Sequence, residues 1–157
     1  MPKLDIEALP IDTKTPYPPP FDRVVYGRER RRLGNAAGLS QFGVNLTTLR
    51  PGAASALRHW HANEDELVFV LEGEVVLIED DGETVLGAGD AAAFKANSGN
   101  GHHLVNRTTA DAVYLEIGSR SHHERVEYPD VDLVAVRDDN GWRFTARMAI
   151  PMAERRQ

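Results

Sequence analysis

Residues 52–73 read GAASALRHWHANEDELVFVLEG and carry the clearest structural pattern in the chain. His59 and His61 are two positions apart, and residues with that spacing point to the same face of a β-strand. The short polar segment that follows suits a hairpin loop, which would place Glu66 on the neighbouring strand, across from the two histidines. Two imidazoles and a carboxylate that converge from adjacent strands can form a divalent metal site.

Short candidate strands surround this stretch between residues 41 and 117. Turns rich in Gly, Asp and Asn separate them at even spacing, which is typical of an all-β sandwich or barrel. This region shows no sustained helical periodicity, so a parallel sheet with helical crossovers is disfavoured. The predicted strands are Phe42–Leu49, Ala54–His61, Glu66–Leu71, Val75–Glu79, Thr84–Leu86, Ala91–Phe94, His102–Asn106 and Val113–Ile117.

The two ends of the chain follow different patterns. Six of the nine prolines lie within residues 1–23. Because proline fixes φ and removes a backbone donor, this segment is predicted as an extended arm on the barrel surface or on a partner subunit. Near the C-terminus, Leu133–Val136 and Trp142–Thr145 flank Asn140-Gly141, a pair that favours a hairpin turn. We therefore predict an arm over residues 1–30, one barrel domain over 31–150 and a frayed tail over 151–157.

Composition excludes several functional classes. The 157-residue chain has no cysteine, which excludes disulfides, thiolate zinc sites, iron–sulfur clusters and cysteine nucleophiles. A formal net charge of −6 disfavours nucleic acid as the main partner. Apolar runs such as residues 67–71 are far shorter than the ~20 residues of a membrane helix, and the N-terminus lacks the apolar region of a secretory signal. We expect a cytoplasmic protein without a membrane or nucleic-acid partner.

Several polar groups are interpreted as surface features rather than as sites. Their sequence context is highly charged, and charge runs usually form solvated faces. Trp60 is expected to point outward and to pack on the barrel wall or on a subunit interface. The groups assigned to solvent are the arginine cluster Arg28, Arg30, Arg31 and Arg32, the hairpin tip Glu64 and Asp65, and the loop histidines His122 and His123.

Two motifs make the sequence similar to the cupin superfamily. The first motif stands here as Gly52, six residues, His59-Trp60-His61, four residues, Glu66, six residues and Gly73. Only the first spacer departs from the usual pattern, by one residue, and a proline before the first glycine is also typical of the family.

The second cupin motif is opened by Gly89-Asp90 and closed by His102, which lies three residues before Asn106. Its middle departs from the usual pattern. Lys95 stands where proline is usual, Asn97 stands where glycine is usual, and two extra residues precede the histidine. The spacing to the closing asparagine selects His102 rather than His103 as the inward histidine, since neighbouring strand residues face opposite sides.

The resemblance implies a cupin double-stranded β-helix, or jelly-roll, barrel of two packed antiparallel sheets. It also implies an interior divalent metal ion (zinc, iron, manganese or nickel) bound by His59, His61, Glu66 and His102. Four protein ligands would leave one or two coordination positions open, as in catalytic or ligand-binding sites. Residues 31–39 and 101–107 also resemble a branch of small bacterial single-domain cupins usually described as sugar-phosphate-isomerase-like.

Three functions remain open at this point. The first is a metal-dependent isomerase or epimerase that acts on a sugar, a sugar phosphate or another small polar substrate through a Lewis-acid metal. The second is an iron-dependent oxygenase, because imidazole and carboxylate ligands with open positions also suit iron(II). The third is a non-catalytic module that binds a small ligand or a metal, and a metal-free barrel with a polar pocket is a further alternative.

An isomerase needs a general base, and the sequence does not choose one. Tyr114, Lys95, His103 and Glu116 are the candidates. A pocket that binds phosphate should carry inward cationic side chains, and those near the motifs are Arg50, Arg58, Lys95 and Arg107, although Arg58 should point away from the metal. The open sheet edges of the barrel and the proline-rich arm also predict a homodimer.

Overall fold

The computed structural model describes residues 2–147, and twelve β-strands form the framework of that part of the chain. Every strand pairing is antiparallel, which confirms the predicted all-β class. The helical elements are short: α1 (Leu33–Ala36) and two 3₁₀ turns, Ile6–Ala8 and Phe21–Val25. The frayed tail predicted over residues 151–157 lies outside the described residues. The strands are β1 (Arg28–Arg32), β2 (Phe42–Leu49), β3 (Trp60–His61), β4 (Glu66–Glu72), β5 (Glu74–Glu79), β6 (Gly82–Gly87), β7 (Ala91–Phe94), β8 (His103–Val105), β9 (Ala112–Ser119), β10 (Glu124–Tyr128), β11 (Leu133–Asp138) and β12 (Gly141–Thr145).

Two walls of strands enclose the core. One wall is a five-stranded sheet in the order β1-β2-β9-β4-β7. The other is made of a four-stranded sheet, β12-β11-β10-β3, and a three-stranded sheet, β6-β5-β8. Isolated bridges between Ala54 and Val105 and between His59 and His102 join these two smaller sheets. The main core lies between the walls, where side chains of β4 and β9 pack with those of β5, β6 and β8.

Strand β4 shows how the sequence pattern produces a barrel wall. Val68 and Val70 are buried in the core, whereas Leu67, Phe69 and Leu71 point to the outer face and are each about 40% exposed (39%, 38% and 41%). The alternation follows from the two-residue period of a strand. An apolar run that covers both faces is typical of a strand with packing on both sides, and among residues 2–147 only one of the two faces is packed.

The proline-rich N-terminal segment lies against a second apolar cluster of the barrel, which is formed by Val126, Tyr128, Leu133 and Ala135. The backbone of Asp12 pairs with that of Arg30 through hydrogen bonds of 2.8 and 3.0 Å. Farther along, the Tyr17 ring packs edge-to-face on Tyr128 and on Phe144, with centroids 5.7 Å apart in both pairs. These contacts bring residues 15–17 to the rim of an internal cavity.

The arginine cluster is not the solvated segment that its charge predicts. Arg28–Arg32 forms β1, which pairs with β2 along its whole length and begins within the range 1–30 assigned to the arm. The two-residue period turns Arg28 and Arg30 inward, and Arg28 is only 4% exposed. The prediction was wrong because hydrophobic alternation cannot reveal a strand whose inward residues are cationic.

Two further strand assignments differ from the sequence prediction. Strand β10 follows the loop histidines and was not predicted, since its charged residues mask the buried Val126 and Tyr128. The stretch predicted as a strand over Ala54–His61 forms only the short β3 and two isolated bridges.

One turn position closes the first motif, and another lies within the second. Gly73 has φ of +74°, and a Cβ atom there would lie 2.6 Å from the carbonyl oxygen of Asp111, so only glycine fits. Asn97 stands where the second motif usually has glycine, and it adopts a φ of +61°. Asparagine tolerates this left-handed conformation, so the turn keeps a positive-φ residue at that position. The backbone N–H of Asn97 donates to the carbonyl of His61 at 2.7 Å.

Candidate metal centre

Three histidine nitrogens surround the carboxylate of Glu66. The Nε2 atom of His102 lies 2.7 Å from Oε2, and the Nε2 atom of His61 lies 2.9 Å from Oε1. The Nε2 atom of His59 is 3.8 Å from Oε2. The structure therefore brings together all four side chains that the sequence selected as candidate metal ligands.

Backbone pairing places these groups. His59 and His102 pair directly, through N–H to O distances of 3.1 and 2.8 Å, so their side chains lie side by side. His61 is anchored by its pairing with Val126 of β10. Glu66 is the first residue of β4 and reaches the site from the opposite wall. The ring of His102 also stacks on Phe94, with centroids 3.6 Å apart, which holds its orientation.

The remaining ring nitrogens determine which atoms can bind a cation. The Nδ1 atom of His59 is 2.7 Å from the carbonyl oxygen of Leu57, so Nδ1 carries the proton and Nε2 keeps its lone pair. The Nδ1 atom of His61 faces two carboxylates, Glu124 at 3.7 Å and Glu64 at 3.8 Å. Contacts of this kind fix the tautomer and raise the basicity of a metal-binding imidazole.

Burial and ion pairing set the charges of the cluster. Burial lowers the pKa of His59 to about 3. For His61 the same burial is outweighed by contacts with Glu124 and Glu66, which raise its pKa to about 10. Burial also acts on Glu66, but hydrogen bonds from His102 and His61 hold its pKa well below the ordinary value. At neutral pH an ionised carboxylate therefore faces a protonated His61 and a neutral His59.

Glu64 is a buried acid and not the solvated hairpin tip that the sequence predicts. It is 9% exposed, accepts the backbone N–H of Ser121 at 2.7 Å and pairs with Arg137 at 3.1 Å. Its neighbour Asp65 is exposed and accepts the N–H of Ala96. Glu124, which sequence reasoning missed, is 2% exposed. A two-residue alternation of Glu124, Val126 and Tyr128 is the signal that could have found it.

The candidate ligands line an internal cavity of about 260 Å³ between the two walls. Tyr114 and Glu116 also line it, from β9. Lys95 is exposed and does not line the cavity. His103 does not line it either, since its Nδ1 atom lies 2.8 Å from the carbonyl oxygen of Ala56. Of the four candidate bases, the structure thus places two at the cavity.

The cationic residues of the cavity wall are Arg28 and Arg30, which the sequence had assigned to solvent. The arginines near the motifs have other partners on the surface. Arg50 pairs with Glu29, Arg107 with Glu83, and Arg58 with Asp80 and Asp130.

The loop histidines lie away from the cavity. His122 and His123 are exposed, as predicted, and form a surface cluster with Asp139. Trp60 is half-buried and does not line the cavity.

Comparisons with known proteins agree with this architecture. A model of the cupin domain matches residues 45–118. A sugar phosphate isomerase of the cupin superfamily from Silicibacter pomeroyi DSS-3 is 45% identical, with a TM-score of 0.92 over 96% of each chain. The chain belongs to the cupin superfamily. The resemblance noted in its two motifs is thereby confirmed.

Two further solved structures are more distant in sequence. A putative sugar phosphate isomerase from Acidithiobacillus ferrooxidans ATCC 23270 is 30% identical to this cupin over 80% of each chain, with a TM-score of 0.74. The polyketide cyclase RemF from Streptomyces resistomycificus is 18% identical over 76% of this chain and 79% of its own, with a TM-score of 0.63, and shares the fold alone. No curated protein sequence gives a significant match. None of the helices in residues 2–147 is long and apolar enough to cross a membrane.

Proposed function

We propose that this cupin is a metal-dependent isomerase or epimerase that acts on a small sugar or sugar phosphate. The observation that carries the proposal is the convergence of three imidazole nitrogens on one carboxylate, at a cavity that also holds an acid–base group. A cavity of about 260 Å³ lies near the lower end of the ~300–1,000 Å³ typical of ligand sites, which favours a small substrate. Similarity to the sugar phosphate isomerase from Silicibacter pomeroyi supports the same class.

The donor set fits a divalent ion. His59, His61, His102 and Glu66 would hold it, since each Nε2 atom is directed at the same carboxylate and His59 Nδ1 is already engaged by a backbone carbonyl. Imidazole and carboxylate ligands suit zinc, iron, manganese and nickel. When bound, such an ion supplies Lewis-acid stabilisation for negative charge on a substrate oxygen.

Glu116 is the general base in this proposal. Isomerisation at a hydroxyl–carbonyl pair requires a group that takes a proton from one carbon and returns it to the next. The Glu116 carboxylate lines the cavity and is held by Arg30 Nη2 at 3.5 Å and by Asn45 Nδ2 at 3.4 Å. Tyr114 is unsuited to this role, because burial raises the pKa of its phenol and keeps the proton on the hydroxyl.

Metal analysis combined with an isomerase assay tests the proposal. Protein purified without added metal should contain about one divalent ion per chain, and metal-dependent turnover should appear within a panel of sugar phosphates. Glu66→Gln should lose the ion and the activity, whereas Glu116→Gln should keep the ion and lose turnover. Glu83→Gln, on the surface, is the matched control and should behave as wild type.

The alternative functions give different results in the same experiment. Bound iron together with substrate-dependent oxygen consumption would identify an oxygenase. A ligand that stabilises the metal-loaded protein without being converted would identify a binding module, because stabilisation by ligand follows mass action. A Glu116→Gln variant with wild-type turnover would remove the assigned base.

We also propose that the chain forms a homodimer through the outer face of β4, β7 and β9. The outward residues of β4 are apolar and partly exposed, and their paired neighbours Leu115 and Ile117 are apolar as well. The centre of this face, formed by Leu67, Phe69, Leu115 and Ile117, is uncharged, and the exposed Glu72 lies at the end of β4. A second copy is the occupant that matches it, since an uncharged face packs on itself without bringing together like charges of a chain with net charge −6.

A further inference from the structure

Arg28 is a buried cation without an acidic partner among the described residues. Its side chain is held in place by two backbone carbonyls, Ser55 at 2.7 Å and Lys14 at 3.2 Å. Its Nε atom is buried and makes no hydrogen bond within residues 2–147. Burial of a charge is costly unless the charge is paired, so the residue adds an uncompensated positive charge to the wall of the metal cavity.

Two more donors stand beside it. Arg30 lines the same cavity, and the one carboxylate that contacts its guanidinium among the described residues is Glu116, at 3.5 Å, with the Nε atom left unpaired. The hydroxyl of Tyr114 is fully buried, and its contact in the described part of the chain is a loose one with the hydroxyl of Thr47, which has no other partner there. Two guanidinium groups against one carboxylate leave one surplus positive charge, surrounded by groups that need an acceptor.

Arg30 and Tyr114 share one row of the sheet, and Arg28 lies two residues before Arg30 on the same face of β1. Arg30 pairs with Thr47, Thr47 with Tyr114, and Tyr114 with Val70 of the strand that carries Glu66. Strand β1 is three positions from β4, which corresponds to about 14 Å across a sheet with ~4.8 Å between strands. The side chains of Arg28 and Arg30 extend from β1 over the sheet and line the same cavity as the metal centre. They therefore lie at the end of the cavity opposite the candidate metal ligands.

We propose that Arg28, Arg30 and Tyr114 form a subsite for an oxyanion, so that the ligand of this cupin carries a phosphate or carboxylate group in addition to the oxygens directed at the metal. The inference builds on the proposed function by naming the substrate class, although the subsite itself needs no metal. Planar guanidinium groups bind both anions through paired, charge-assisted hydrogen bonds. The oxygens of such an anion would accept hydrogen bonds from the buried donors of these three side chains.

Titration calorimetry of the metal-free protein with inorganic phosphate tests the subsite. Wild-type protein treated with chelator should bind phosphate, and Arg30→Met should weaken binding by roughly tenfold or more, the loss expected when a charge-assisted hydrogen bond is removed. Arg31→Met is the matched control, because Arg31 lies on the same strand, faces outward and pairs with Glu7. It should bind phosphate as wild type does.

Two further variants keep the test decisive if Arg30→Met folds poorly. Tyr114→Phe removes one buried hydroxyl, so it should keep the thermal midpoint and weaken phosphate binding by roughly threefold to tenfold. Arg30→Lys keeps the charge without the planar fork and should recover part of the affinity. Unchanged affinity in Tyr114→Phe and Arg30→Met, or no phosphate binding by the wild type, would overturn the subsite.

Comparison of D-ribose 5-phosphate, D-ribonate and D-ribose then separates the two anion sources. Tighter binding of the phosphate ester identifies phosphate, and tighter binding of ribonate identifies carboxylate, whereas equal binding of neutral ribose would count against the subsite. Phosphate binding without metal-dependent turnover would reject the proposed isomerase and keep the subsite. Turnover of neutral sugars alone, with a rate that Arg30→Met does not change, would reject the subsite and keep the proposed isomerase.

Discussion

Replacement of Asn106 by aspartate should destabilise the barrel strongly and in a pH-dependent way. The side chain is completely buried, and its Nδ2 atom donates to the carbonyl oxygens of Leu49 at 2.8 Å and Ala110 at 2.7 Å. Its Oδ1 atom accepts from the backbone N–H and the hydroxyl of Thr108. Asn106→Asp changes one group, from amide NH₂ to oxygen, without a change of shape.

The size of the effect follows from these four hydrogen bonds. An ionised aspartate would face two carbonyl oxygens in a buried site, so the folded variant must keep its carboxyl group protonated. Protonation at pH 7, about three units above the ordinary aspartate pKa of ~3.9, costs roughly 4 kcal/mol. The protonated acid can donate to one carbonyl only, so loss of the second bond adds about 1 kcal/mol. We expect a total loss of roughly 5 kcal/mol at pH 7.

Urea unfolding at two pH values measures this loss. Because the folded state holds a proton that the unfolded state releases above its pKa, the variant loses stability as pH rises, and the loss should shrink to roughly 2.5 kcal/mol at pH 5. Asn140→Asp, in an exposed hairpin turn, is the control and should stay within about 0.5 kcal/mol of wild type. A loss below about 1 kcal/mol at pH 7, or an equal loss at both pH values, would refute the assigned donor pattern.

Two further predictions concern the outer sheet face and the N-terminal segment. Phe69→Glu should convert a dimer to a monomer in sedimentation equilibrium with little effect on the fold, since Phe69 is 38% exposed. The control variant Val85→Glu, on another sheet, should stay dimeric. A monomeric wild-type protein would contradict the proposed dimer. A hydrogen bond from the backbone N–H of Lys14, opposed by burial and helped by Arg32, lowers the pKa of Asp12 below its ordinary 3.8. The stabilisation by Asp12 is therefore present above that value and lost as pH falls through the lowered pKa. Asp12→Asn should cost about 1 kcal/mol at pH 7 in urea unfolding, and the cost should shrink as pH falls through the lowered pKa. A cost that does not change with pH would count against the assignment.

Much of the fold was predictable because its signals are local. Strands β2 and β7 have the bounds that the sequence predicts, Phe42–Leu49 and Ala91–Phe94, since each is bounded by turn residues. Three of the candidate ligands, His59, His61 and Glu66, could be selected for a similar reason, whereas His102 was assigned through the resemblance of the second motif to the cupin pattern. Spacing within two short motifs determines which side chains share a face, and a two-residue period leaves little freedom in that choice.

The features that the sequence did not reveal lie around the cavity. Arg28 and Arg30 were assigned to solvent, Glu64 to a solvated hairpin tip, and Glu124 was not considered. All are buried or partly buried polar residues on strands, or next to strands, that enclose the site. Hydrophobic alternation identifies strands that face an apolar core, and it fails where the inward face is polar. The departures from the simple pattern therefore mark the part of the barrel that serves a ligand.

The order of strands in the five-stranded sheet also suggests how a substrate would lie. Glu66 begins β4, the cationic pair projects from β1, and Glu116 lies between them on β9, opposite Val68. A ligand that spans the metal centre and the oxyanion subsite must therefore pass over the Glu116 carboxylate. In that pose the carbons between the two anchored ends face the proposed base, which is where an isomerase or epimerase moves its proton. The strand register thus makes the two proposals consistent with each other. The anion would fix the substrate at one end, and the metal ligands would fix it at the other.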